Sequence, residues 1–155
     1  MALVNSKFDV LRGWPQEGAI DETFGIHQTT PGTNDALPSG MVITIGTDGL
    51  AVAATTPNRS SANAVNTWIV VAGNDDFSGT FVGKVVALRS NAMFKLDPSN
   101  FNAGSYTPAT KLTFSAGKWQ PVTTNNQIIG EVLVDNTATD GTIVVMYTAT
   151  NEASF

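Results

Sequence analysis

A chain of 155 residues is long enough for one domain with a sizeable core, and its 14% of charged residues falls well short of the ~25% of an average soluble domain. The 8 basic residues are scattered among 13 acidic ones, for a formal charge of −5, so no cationic stripe is available to follow nucleic-acid phosphates. No apolar run approaches the roughly 20 residues of a membrane-spanning helix, and the absence of cysteine removes disulfides, thiolate metal sites and thiol nucleophiles together.

Residues 1–38 read as an extended N-terminal arm. They are broken by Pro15, Gly18, Pro31, Gly32 and Pro38, and hold neither a helical nor a strand period for long. The opening residues lack a basic segment followed by an apolar one, so no secretory leader is expected. Yet the arm carries Phe8, Val10, Leu11, Trp14, Ile20, Phe24 and Ile26, more apolar anchors than a disordered tail would. Those side chains must be covered, either by the chain's own domain or by a neighbouring chain. Both options stay open at this level.

Residues 39–155 read as a β-domain. MVITI (41–45), LAVAAT (50–55), TWIVVA (67–72), TFVGKVVAL (80–88), KLTF (111–114), QIIGEVLV (127–134) and TIVVMYT (142–148) are short and β-branched, bounded by Gly, Asn, Asp or Pro. Thr47-Asp48-Gly49 predicts a tight hairpin, and Ala116-Gly117-Lys118 a second, running from KLTF into WQPV. A single helical turn is expected near Pro98–Phe101, and Asp135 to Gly141 is a longer connection. The fold class that follows is all-β, a small antiparallel barrel or sandwich carrying the arm.

Chemistry-bearing residues are sparse. Asn74-Asp75-Asp76 lacks the alternating oxygen ligands and the later glutamate of a calcium loop, and neighbouring strand residues point apart, so it reads as a turn. His27 is the single histidine and no G-x-S-x-G elbow accompanies it, which argues against a triad and against zinc. Phosphate-cradling glycine motifs are absent. Asn58-Arg59-Ser60 matches a glycosylation acceptor but, with no leader expected, reads as a loop tripeptide. Trp14, Trp68 and Trp119 are candidates for a sugar-stacking platform. Trp68 heads an apolar run and reads as core or the end of a barrel, Trp14 as a docking anchor, and Trp119 as partly free to face outward.

The order of features carries a resemblance. An apolar arm precedes ALPSG, a TDG hairpin and the small-residue run LAVAAT, and later strands FVGKVVAL and QIIGEVLV each hold a glycine among apolar residues. Over most of residues 20–148 this organisation resembles the capsid decoration (head stabilisation or cement) proteins of tailed bacteriophages, with RSNAMFKLDPSNFNAGSYTPAT (89–110) as an addition. The resemblance implies a non-enzymatic structural protein of the virion, made in the host cytoplasm and bound to the capsid exterior. It would act as a homo-oligomer, trimer or dimer, with the major capsid protein as partner and with no cofactor, metal, nucleic acid or membrane. Candidate contacts with the capsid or a sister subunit are Phe8, Val10, Leu11, Trp14 and Ile20. The alternative is a carbohydrate- or receptor-binding β-domain of a tail fibre or adhesin, which predicts an exposed aromatic platform including Trp119.

Overall fold

The stretch WIVVA, residues 68–72, is apolar throughout. Successive strand side chains point to opposite faces, so a strand of this kind has to be covered on both. In the computed structural model, which describes residues 7–55, 65–74, 83–124, 126–135 and 141–153 (backbone alone for 150–153), both faces are covered. Ile69 and Val71 point into one core cluster, Trp68 and Val70 into another.

This strand, β5 (Trp68–Ala72), lies in the middle of a five-stranded antiparallel sheet. Its neighbours are β6 (Lys84–Leu88) and then β2 (Asp21–Gly25) on one side, β3 (Val42–Ile45) and then β4 (Ala51–Ala53) on the other. The second sheet has six strands, in the order β1 (Asp9–Arg12), β7 (Ala92–Leu96), β11 (Ile143–Ala153), β10 (Gln127–Val134), β8 (Lys111–Ser115) and β9 (Lys118–Pro121). All neighbouring strands are antiparallel. The expected all-β class is thus a two-sheet sandwich, and no barrel closes. The expected turn after Asp97 is a 3-10 turn at Pro98–Asn100, with the Asp97 carboxylate accepting the Ser99 amide as its cap.

The main core fills the space between the sheets. Val42, Ile69 and Leu88 meet Phe94, Leu112, Phe114, Trp119, Val145 and Tyr147, all fully buried. Phe94, Trp119 and Tyr147 form an aromatic cluster with centroids 6.1 to 6.5 Å apart, within the range of favourable edge and tilted ring pairs. Gly130 makes room for it, because a Cβ there would lie 3.3 Å from the Trp119 ring and collide with the Met146 carbonyl. A smaller core occupies the other face of the five-stranded sheet, where Ile43, Ala51, Val70, Val85 and Ala87 are covered by Ile26 and Leu37. The sheet curls around these residues: Ile26 bridges Ala51, and the His27 amide donates to the Ala51 carbonyl at 3.1 Å.

The two sheets are also joined by backbone. The β8–β9 turn carries Ala116 at φ 49° and Gly117 at φ 80°. Gly117 donates to the Ala54 carbonyl (2.7 Å) and accepts from the Val42 amide (2.9 Å), so a turn of one sheet pairs with strand ends of the other. A Cβ at Gly117 would meet Met41 at 2.9 Å, which is why glycine stands there.

The arm runs along one edge of the sandwich. β1 pairs with β7 and β2 with β6, and each is the end strand of its sheet. The chain crosses between the sheets twice side by side, at 13–20 and at 89–91. There the Arg89 amide donates to the Ile20 carbonyl (2.8 Å) and the Ile20 amide to Ser90 Oγ (3.3 Å).

Candidate functional site

The five arm residues divide into two sets. Phe8 packs against Phe94 with centroids 5.6 Å apart, Val10 pairs with Phe94 across the ladder, and Trp14 lies against the same core. The Trp14 indole N–H donates to Asp21 Oδ2 at 2.6 Å, which ties the crossing to β2. Within the chain these three are inward residues. Leu11 and Ile20 point outward, at 40% and 57% exposure. Strand alternation puts Leu11 on the face opposite to Val10, and a β-bulge between Val10 and Arg12, which face the adjacent residues Phe94 and Met93, leaves Leu11 without a partner in the ladder. Ile20 is held by its two backbone bonds at the crossing, so its side chain is presented by a fixed backbone.

His27 and Asp35 meet, with Nδ1 3.1 Å from Oδ2. Asp35 also accepts the Thr29 amide (2.9 Å) and the Thr29 hydroxyl (3.0 Å). The Thr29 amide first, and then His27, hold the Asp35 carboxyl below its usual range. The carboxylate thereby closes the 27–35 loop, with its lone pairs occupied by that loop. Asn74 does similar work: its Oδ1 accepts the Leu37 amide (3.0 Å) and its Nδ2 donates to the Asp35 carbonyl (2.9 Å). Asp75 and Asp76 lie outside the described residues, as do Asn58, Arg59 and Ser60. Among the described residues, no group of three or more His, Asp or Glu side chains is gathered as metal ligands.

The tryptophans correct one expectation. Trp119 is fully buried, and its indole N–H donates to the Gly40 carbonyl at 2.9 Å. Read from sequence it was partly free to face out; the space opposite Gly130 takes it inward instead. A sugar platform that includes Trp119 is therefore ruled out. Trp68 packs edge-on to Phe24, with centroids 5.0 Å apart, at the end of the five-stranded sheet. Together they border a groove of about 510 Å³ that also takes in Ile45, Val65, Asn66 and Arg89. Sequence reading missed Arg89 and Asn66, which are brought together by the fold across 23 positions, with Arg89 Nη2 donating to Asn66 Oδ1 at 2.9 Å.

No protein-family model matches the chain, and no curated protein or solved structure matches it.

Proposed function

We propose that this chain is a capsid decoration protein: a non-enzymatic β-sandwich that binds the outer surface of a tailed-bacteriophage capsid and cements neighbouring capsid subunits, as a homo-oligomer. The reading rests on the resemblance in feature order and on one structural observation that supports it. The arm forms the end strand of both sheets and turns Leu11 and Ile20 outward along that edge. Burying what remains exposed of these two side chains would contribute about 2 kcal/mol per copy. A protein that bridges two capsid subunits multiplies such a modest gain, because its second contact forms at high effective concentration. The sparse charge of the chain favours the same end, since little ionic solvation is lost when its surface is covered.

The test is co-sedimentation with expanded and unexpanded shells of the major capsid protein expected in the neighbouring reading frame. Deleting residues 1–20 would be a blunt probe, because Phe8, Val10 and Trp14 pack on the chain's own core. The sharper variant is Leu11→Asp with Ile20→Asp, which leaves the core residues in place. Wild type is expected to pellet with expanded shells and the double variant to remain in the supernatant with an unchanged melting temperature. Wild type that ignores shells, or a double variant that pellets equally well, overturns the proposal.

A further inference from the structure

The geometry points to a ligand site in the groove beside Trp68: it binds a carboxylate carried on an apolar or aromatic body. Arg89 makes the case for the charged end. It is half-buried, its Nε is closed off from solvent without a hydrogen-bond partner, and the hydrogen bond from its Nη2 goes to a neutral amide oxygen, that of Asn66. The ion pairs among the described residues are His27–Asp35 and Lys111–Glu131, so no carboxylate of theirs neutralises Arg89. The sequence from Thr55 to Trp68 contains no acidic residue that would supply one. A guanidinium drawn partly out of water is costly to leave unpaired, and its planar fork of donors matches the paired oxygens of a carboxylate.

The rest of the groove selects the body of the ligand. Phe24 and Trp68, edge to face at 77°, form an apolar wall that Ile45 and Val65 extend. Thr44 and Asn66 are the other polar side chains there, too few for the ring of hydroxyls on a neutral sugar. A volume of about 510 Å³ lies within the range of small-molecule sites, which pair an apolar lining with a few convergent polar groups. The groove adjoins the proposed docking edge through Phe24 on β2 and the Arg89–Ile20 backbone bond, but neither Leu11 nor Ile20 lines it.

Amide-resolved NMR of the full chain, titrated with phenylacetate and with its neutral isostere phenylacetamide, tests the assignment. Phenylacetate is expected to shift the Trp68 indole resonance saturably, and phenylacetamide to bind about tenfold more weakly. Arg89→Gln should bring phenylacetate down to the level of the amide, while Arg89→Lys keeps part of the difference. The backbone bond from Arg89 to Ile20 survives both substitutions. Equal response to acid and amide in the wild type, no saturable shift, or undiminished phenylacetate binding by Arg89→Gln would refute the site. Should Arg89→Gln fail to fold, the acid-against-amide comparison on wild type decides alone.

Discussion

Replacing Trp119 separates a core role from a surface one. Trp119→Ala removes the largest fully buried side chain of the main core, together with its ring contacts to Phe94 and Tyr147. Truncating a buried aromatic to alanine costs about 3–5 kcal/mol. The Gly40 carbonyl, which accepts the indole N–H at 2.9 Å, is left without that donor, adding about 1 kcal/mol or more where the carbonyl stays dry. A loss of about 5 kcal/mol would consume much of the stability of an ordinary domain, roughly 5–15 kcal/mol in total. Trp119→Phe keeps a ring in the cluster but loses the hydrogen bond, and should cost about 2 kcal/mol. Urea unfolding followed by far-UV circular dichroism reads both: with a slope of about 2 kcal/mol/M, the phenylalanine variant shifts its midpoint down by roughly 1 M and the alanine variant by more than twice that. An exposed tryptophan would behave differently, since surface substitutions usually stay within about 0.5 kcal/mol. Two variants that unfold at the wild-type midpoint would refute the placement of Trp119 and, with it, the account of the core.

Two further outcomes are expected. Ala116, exposed at φ 49° in the β8–β9 turn, sits where asparagine is better tolerated, so Ala116→Asn should stabilise by about 0.5–1 kcal/mol and raise the melting temperature by a few degrees; a lower melting temperature would contradict the turn geometry. The Asp35 carboxyl is held below 3.8 by the Thr29 amide and then by His27, so its support of the 27–35 loop is complete above that pH and lost as pH falls through the lowered native value. Hydrogen exchange of the Thr29 amide should accelerate relative to its neighbours over that acid window, and Asp35→Asn should abolish the pH dependence; an Asp35→Asn variant with the wild-type acid profile would show that another group is responsible.

What could be read from the sequence follows from how each residue is held. QIIGEVLV became β10 with its bounds unchanged at Gln127–Val134, because an apolar run with β-branched residues is driven into a sheet by its own side chains. Both hairpin turns were readable too, since Asp48-Gly49 and Ala116-Gly117 carry their geometry locally. The strands that went unread are held by others. DETFG has three exposed residues and no apolar period; it is a strand because β6 pairs with it along its length. AMFKL did alternate, burying Ala92, Phe94 and Leu96 between Met93 and Lys95, but Asn91 and Asp97-Pro98 around it read as loop. Trp119 was misjudged because its burial depends on a glycine in another strand and a carbonyl 79 positions away. The candidate contacts Leu11 and Ile20 were found as apolar arm residues, whereas their separation from Phe8, Val10 and Trp14 needed the pairing of β1 with β7 and the crossing.

The course of the arm along both sheets bears on how the protein is made. Its partners are β6 and β7, with Phe24 opposite Val85 and Val10 opposite Phe94, so both arm strands leave a ribosome with nothing to pair with until about sixty to eighty-five residues more have been synthesised. Through that interval Phe8, Val10 and Trp14 are without the core that later covers them. Translation pauses or chaperone depletion should therefore damage yield through the arm, even though it is made before the strands that cover it.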